Sequence, residues 1–358
     1  MLGNSKLVIF GFRGELVAQL VAMGHDVYVC FPNGPFGDGE TISKEYGCHF
    51  IEIQIDRRGK NPLKDLNVIQ HYKRIIREIK PDFVLSYTVK CNIYGGLACK
   101  HFKTVFLPNI TGLGKGLDEK GFVQQITKRL YKHSLKKANC VFFQNEQDLA
   151  FFKKNDLLTG KYELLPGSGV NLSKFNYCKL PKDDVLKFLF IGRLMKAKGI
   201  EEYLYASKVL KSEKPYCEFH VCGYCEEDYK KTIDDFVSKG IIIYHGLVDN
   251  VLDYYRMCHC IVLPSFHPEG VSNVLLEAAS TGRAIITTNH RGCLETVDDG
   301  ITGFLVEKKN KEDLLKKMRL FVDLPFKEKE KMGKLGRVKM EKQFDREAVV
   351  KKYLEYIR

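Results

Sequence analysis

Short apolar runs alternate along the whole chain with stretches whose apolar positions recur every three or four residues. The runs predict buried strands at 6–11, 26–30, 48–53, 81–88, 104–107 and 140–144, and again at 186–191, 218–222, 241–244 and 261–263. The stretches between them predict helices at 15–23, 63–80, 121–137 and 272–281, and one more closes the chain at 345–358. Strand-helix alternation of this kind builds parallel sheets covered by helices on both faces, an α/β doubly wound architecture. The rhythm breaks once, at Leu165-Pro166-Gly167-Ser168-Gly169-Val170-Asn171, where a proline and two glycines mark a domain boundary. Domains of 1–168 and 169–344 follow, with 345–358 expected to pack back on the first.

The helix at 121–137 carries two signals. Phe122, Ile126, Leu130 and Leu135 form an apolar stripe near helical spacing, and Lys128, Arg129, Lys132, Lys136 and Lys137 flank it. The stripe is expected to pack on the sheet, leaving the lysine face to water or to anionic lipid.

Charged residues that interrupt the apolar pattern locate the candidate chemistry. Arg193 and Lys198 follow the strand at 186–191 and precede a helix, so two cations and a positive helix end meet at a strand's carboxyl end, an arrangement suited to a diphosphate. Glu269 lies in the loop after the strand at 261–263. Glu277 falls inside the apolar run Val274-Leu275-Leu276-Glu277-Ala278-Ala279, where a carboxylate loses hydration unless a partner or ligand hydroxyls replace it. Taken singly, each glutamate reads equally well as a helix cap or surface acid.

Composition narrows the class. The chain has 358 residues, 44% hydrophobic and 28% charged, and no apolar run approaches the roughly 18 residues of a membrane span. Arg13 and Glu15 interrupt the apolar piece at 7–10, so no secretion signal is expected and the chain is placed in the cytoplasm, peripheral on the inner face of the plasma membrane. Of the net charge of +13, residues 1–178 carry +9, which suits an anionic partner or a merely well-solvated surface. The twelve cysteines include one Cys-x-x-Cys, Cys222 to Cys225, with Cys258 and Cys260 further on. Zinc frameworks pair two such knuckles, so buried reduced thiols are the expectation and no metal site is assigned.

The stretch at 264–306 resembles the donor-site signature of the family 4 retaining glycosyltransferases. Its elements stand as Glu269-Gly270, Leu276-Glu277-Ala278, Thr281-Gly282, Gly292-Cys293-Leu294-Glu295 and Gly303-Phe304-Leu305-Val306, with Ser272 where the family often has proline. Gly192-Arg193-Leu194 with Lys198-Gly199 is similar to the same family's diphosphate motif. The resemblance implies a GT-B fold, two Rossmann-like doubly wound domains facing each other across a cleft. It implies catalytic roles for Glu269, Arg193 and Lys198, and a donor site of Gly192, Arg193, Lys198, Gly223, Glu269, Gly270, Glu277 and Gly292. Glu277 would meet ribose hydroxyls, and a helix near Gly292 would add backbone N–H groups.

On the acceptor side it implies Gly11, Gly14, Thr88, Lys90, Asn92, Thr111 and Gly112. Gly11 and Gly14 serve equally to permit a tight turn, Lys90 equally as a surface lysine, and the loop at 111–114 also reads as a plain turn. No Asp-x-Asp occurs, so no metal or other cofactor is required. The expected function is retaining transfer of a galactose or N-acetylgalactosamine type sugar from a UDP-sugar to an undecaprenyl-diphosphate-linked acceptor at an anionic membrane surface, in capsule, O-antigen or lipid-linked oligosaccharide synthesis. The alternatives are a UDP-sugar epimerase on the same fold and a basic nucleic-acid-binding protein. The latter lacks an aromatic-rich basic motif and carries glutamates that would repel phosphate, so no nucleic-acid partner is expected.

Overall fold

Two all-parallel sheets organise the chain, each in its own structural unit. The computed structural model describes residues 1–34, 38–55, 62–118 and 120–357, so Arg358, the last residue of the expected terminal helix, lies outside the described residues. One unit comprises Met1–Ser168, Pro268–Gly270 and Glu347–Arg358, the other Gly169–His267 and Val271–Arg346.

In the first unit the elements run α1 (Phe12–Ala22), β1 (Tyr28–Phe31), α2 (Gly39–Glu45), β2 (His49–Glu52), α3 (Pro62–Ile79), β3 (Phe83–Tyr87), α4 (Val89–Cys99), β4 (Val105–Ile110), α5 (Gly114–Asp118), α6 (Phe122–Ser134), β5 (Val141–Phe143), α7 (Glu146–Lys154) and β6 (Tyr162–Leu164). The strands pair as β2-β1 and β3-β4-β5-β6, and Leu2 bridges Cys30 on one side and Ser86 on the other, joining them. Alternate strand residues enter different apolar clusters: Val84, Phe106, Val141 and Phe143 join one, Leu85, Leu107 and Phe142 the other. A parallel sheet buried on both faces requires this.

The first expected strand is not formed. Leu7–Gly11 is a wide helical turn leading into α1, and Leu2 holds the place in the sheet. A short apolar run satisfies a buried strand and a helical turn equally, and Leu-Val-Ile-Phe gave no period to separate them. The segment 11–14, expected as a loop at that strand's exit, instead joins this turn to α1 through a kink at Arg13, whose φ of −141° and ψ of 17° are not helical.

The stripe on α6 is also reversed from expectation. Gln124, Thr127, Tyr131 and Ser134 face the unit's interior, while Phe122, Val123 and Ile126 face solvent. Three of these polar groups bond locally: Gln124 Nε2 donates to Leu117 O (2.6 Å), Thr127 Oγ1 to Val123 O (2.8 Å) and Ser134 Oγ to Tyr131 O (3.1 Å), while the Tyr131 hydroxyl is buried without a hydrogen bond among the described residues. The far half of the stripe follows the expectation: Leu130 is partly buried against the core and Leu135 is buried.

The second unit runs β7 (Leu186–Ile191), α8 (Ile200–Glu213), β8 (Cys217–Cys222), α9 (Lys230–Ser238), β9 (Ile243–Tyr244), α10 (Val251–Met257), β10 (Cys260–Leu263), α11 (Asn273–Ser280), β11 (Ala284–Thr288), β12 (Gly303–Val306), α12 (Lys311–Asp323) and α13 (Phe326–Gln343). Its sheet order is β12-β11-β10-β7-β8-β9. Ten of the twelve cysteines are buried, and burial pushes the Cys222 thiol up to about 12.

A last helix, α14 (Arg346–Leu354), supplies Val349, Val350 and Tyr353 to the first unit's core. The Tyr353 ring lies 4.6 Å from that of Phe142, its hydroxyl accepts from Asn109 Nδ2, and Tyr87 is an edge neighbour. Buried Arg13 places its guanidinium 3.8 Å over the Tyr87 ring and donates to Val8 O (2.8 Å). Truncating an aromatic in such a packed core costs about 3–5 kcal/mol, whereas loss of one hydroxyl costs about 1 kcal/mol. Hydrogen exchange of the β3 to β5 amides should therefore accelerate strongly in Tyr353→Ala and only slightly in Tyr353→Phe.

Candidate functional site

In the second unit the chain proceeds outward from β7 to β9 and then returns to lay β10 on the other side of β7. Loops leaving the carboxyl ends of β7 and β10 diverge at this switch point, which opens a crevice suited to a ligand. Backbone bonds fix the rim. Gly192 N–H donates to Cys222 O (3.0 Å), Leu194 N–H to Tyr224 O (2.9 Å), Gly223 N–H to Gly246 O (2.7 Å) and Phe266 N–H to Ala197 O (2.8 Å). At Gly223, φ is +136° and a Cβ would collide with Gly192 O, so the two strand exits approach this closely only because a glycine stands there.

Arg193 leaves this rim with its guanidinium already engaged. Nη1 donates to both Glu226 carboxylate oxygens (3.1 and 2.9 Å), Nη2 lies 3.2 Å from His267 Nε2, and Tyr224 OH donates to the same carboxylate (3.3 Å). The pairing orients the guanidinium, and the Arg193 side chain remains 30% exposed. Lys198 ends a single 3₁₀ turn, Lys196–Lys198, and is buried directly before α8. The first turn of α8 holds Glu201 and Glu202, which complement the helix's positive end in the free protein.

Glu277 is half-buried in the second turn of α11 and accepts from Tyr255 OH at 3.1 Å. Burial pushes its carboxyl up to about 7, against the smaller opposing effects of the Tyr255 hydrogen bond, Arg346 and Lys174. Such a group lacks the hydrogen bonds that would hold it ionised, the condition the sequence pattern anticipated. Ser272 stands at the helix's N-cap position, yet its side chain makes no cap hydrogen bond.

The helix expected near Gly292 is absent: Leu294–Thr296 forms one 3₁₀ turn, and Gly292 N–H donates to Glu295 Oε2 (2.8 Å). A carboxylate three residues on satisfies the donor locally, so no helix end points outward there. Gly292 O instead accepts from Ser272 N–H (2.7 Å), tying this turn to the start of α11.

Pro268–Gly270 belong to the first unit, which brings Glu269 and Gly270 together with Thr111 and Gly112. Gly270 N–H donates to Thr111 O (2.9 Å) and Asn145 Nδ2 donates to Gly270 O (2.8 Å). Gly112 has φ +124°, and a Cβ there would sit 2.9 Å from Glu269 Cα. The loop at 111–114 is therefore a packing surface as well as a turn.

Other acceptor-side residues are placed differently from one another. Thr88 occupies the N-cap position of α4 without a side-chain cap hydrogen bond, at φ +75°, a costly conformation for a β-branched residue at a strand exit. Lys90 pairs with Asp65 at 2.7 Å. Asn92 is fully buried, accepting from Ser86 Oγ and donating to Asn109 O, both at 2.8 Å, so it braces β3 and β4 internally. Gly11 lies in the helical turn before α1, and Gly14 is buried where a Cβ would meet the Tyr46 hydroxyl at 2.6 Å, so neither lies in the strand-exit loop expected for them.

Residues 178–339 match the family model described as glycosyl transferases group 1, and 7–145 match glycosyl transferase 4-like. The N,N'-diacetylbacillosaminyl-diphospho-undecaprenol alpha-1,3-N-acetylgalactosaminyltransferase of Campylobacter jejuni is 26% identical over 339 residues, 90% of this chain and 88% of the relative. The capsular polysaccharide biosynthesis glycosyltransferase CapM of Staphylococcus aureus is 28% identical, over 61% of this chain and 56% of its own length. HepE of Anabaena, solved with UDP-glucose, shares the fold at a TM-score of 0.78 and 15% identity, with 99% of this chain and 98% of that one covered. The chain belongs to the family 4 glycosyltransferases of GT-B fold and bacterial polysaccharide type.

Glu226, Tyr255 and His267 were not singled out from the sequence. Glu226 follows the Cys-x-x-Cys that drew attention as a metal candidate, and an acid just past a strand exit facing Arg193 was the available signal. The raised carboxyl of Glu277 has a direct consequence for stability. Its ordinary value of 4.5 applies unfolded and about 7 applies folded, so its neutral form favours folding fully below pH 4.5, and this is lost as pH rises to 7. The loss is on the order of 3 kcal/mol. Urea unfolding at pH 5 and pH 8 should show a stability drop in wild type that Glu277→Gln lacks.

Proposed function

We propose that this glycosyltransferase retains anomeric configuration and moves a galactose or N-acetylgalactosamine type sugar from a UDP-sugar to an undecaprenyl-diphosphate-linked acceptor, on the cytoplasmic face of an anionic membrane. The observation that carries the reading is the second unit's switch point, where Arg193 and Lys198 leave β7 ahead of α8. The Campylobacter relative's name supplies the lipid-linked acceptor and sugar type, and HepE's bound UDP-glucose supports the donor class.

In this reading the anomeric carbon's bond to UDP breaks, the acceptor oxygen bonds to the same face of that carbon, and the hydroxyl proton departs with UDP. Arg193 and Lys198 stabilise the charge growing on the diphosphate, without a divalent metal. His267 and Glu226 position the guanidinium. Glu269 contacts the donor sugar, backbone at Gly192, Gly223, Gly270 and Gly292 lets the nucleotide sugar approach closely, and Thr88, Lys90, Asn92, Thr111 and Gly112, with Gly11 and Gly14, belong to the acceptor side as substrate contacts or as the packing that shapes them.

Glu277 binds the ribose hydroxyls as a carboxylate. Because it rests near pH 7 when no hydroxyls surround it, nucleotide binding at neutral pH should release a proton. Calorimetric titration of UDP without added metal, in buffers of different ionisation enthalpy, should show that release in wild type. Glu277→Ala should lose it together with about 10- to 100-fold in affinity. Arg193→Ala or Lys198→Ala should lower kcat by about a hundredfold or more. Absence of UDP binding to the wild-type protein would sink the donor assignment.

A further inference from the structure

The amino end of α6 turns apolar side chains to solvent. Phe122 is 81% exposed, Val123 49% and Ile126 40%, all in the first turn and a half of the helix. At 100° per residue, Phe122, Ile126, Arg129 and His133 lie on one line along the helix, with Lys132 on one flank and Val123 on the other, and Lys136 follows in the 3₁₀ turn Leu135–Lys137. All of these side chains are exposed. The face is thus apolar at its amino end and cationic along the rest, and no Asp or Glu occurs from Lys120 to Asn145.

Single exposed apolar side chains are ordinary on soluble proteins. Three on one helical end, continuous with a cationic face free of acids, match the chemistry of an anionic bilayer, whose acyl layer takes the rings and branched chains while headgroup phosphates meet the cations. On the buried side of α6, Gln124 donates to Leu117 O of α5, Thr127 bonds its own helix, and Tyr131 joins the core, so the contacts that hold α6 to its unit do not involve Phe122.

We propose that the first turn of α6 is a membrane wedge, with Phe122, Val123 and Ile126 entering an anionic bilayer and Arg129, Lys132 and Lys136 lying against its headgroups. The assignment rests on the reading of a lipid-linked acceptor and deepens it by naming the surface through which the enzyme reaches the lipid. Among the described residues no helix is long and apolar enough to cross a membrane, so a surface contact of this kind is what the unit can offer.

The chain contains no tryptophan, so Phe122→Trp introduces a single fluorescent reporter at the wedge. With vesicles of phosphatidylethanolamine and phosphatidylglycerol its emission should shift to the blue and be quenched by acyl-brominated lipid. Phe122→Ser with Ile126→Ser should weaken vesicle co-sedimentation about tenfold or more, while rising salt weakens the wild type. Transfer to a water-soluble, short-prenyl acceptor should be unchanged by that double substitution. An unshifted, unquenched reporter in the presence of vesicles overturns the wedge, as does a double variant that sediments like wild type. A double variant whose only change is conversion of a dimer to a monomer overturns it in favour of self-association. Loss of vesicle binding with soluble transfer intact counts for the wedge, and insertion of the reporter in a protein that transfers no sugar would sink the transferase reading alone.

Discussion

The close approach of the β7 and β8 exits is the constraint on which the rest of the second unit's strand-exit edge depends. Gly192 and Cys222, then Leu194 and Tyr224, continue the strand pairing past the ends of β7 and β8, and Gly223 passes its N–H on to Gly246. Each donor satisfied in this way removes a backbone group from competition for the ligand and fixes the direction in which the next side chain leaves. Arg193 emerges between two such bonds, so its backbone is held on both sides before its side chain is considered. The loop after β10 is tied to the same rim through Phe266 and Ala197, and Thr288 Oγ1 donates to Ser265 O from the neighbouring strand. Geometry of this kind is set by the fold and is in place before a ligand arrives.

Charge is handled in the opposite manner, by partial and exchangeable compensation. Arg193 rests against Glu226, and the first turn of α8 is occupied by Glu201 and Glu202, so the cationic edge is not left bare. Glu277 resolves the same problem by tending toward its neutral form, because Tyr255 provides one hydrogen bond where an ionised carboxylate at that depth needs several. A ligand carrying a diphosphate and hydroxyls would supply anions to the first pair and donors to the last. Both devices, an ion pair at one strand exit and a carboxyl held toward its neutral form in α11, are built from the unit's own residues.

The architecture was legible because strands buried on both faces are continuous apolar runs, and 186–191, 218–222 and 261–263 had few competing interpretations. The same criterion misread 6–11, since an apolar run of that length carries no period and Leu2, the residue that holds the sheet position, is a single bridge with no pattern at all. Arg193, Lys198 and Glu277 were legible as charges out of register with their apolar surroundings. Their partners were not: Tyr255 lies 22 residues before Glu277 and Glu226 lies 33 after Arg193, and contacts across such separations depend on how the sheet is wound. Gly292 and Glu295 show the converse case, in which a helix-like signal was satisfied within four residues and no helix formed.

The reversal of α6 shows what periodicity leaves undetermined. An apolar stripe beside a cationic face establishes that a helix has two different sides, and the usual inference assigns the apolar side to the core. That inference assumes the other side is costly to bury. Here it is not, because Gln124 reaches the Leu117 carbonyl, Thr127 and Ser134 bond back to their own helix, and Tyr131 brings a large ring that packs edge-on to Phe152 at 5.1 Å. With three of its polar groups bonded and an aromatic of its own, that side can be buried and Phe122, Val123 and Ile126 left outside. Which side turns inward is thus decided by the hydrogen-bonding capacity of the polar residues. Short side chains that can bond their own backbone mark a face a helix can afford to bury, and long cationic ones mark a face it must keep at the surface.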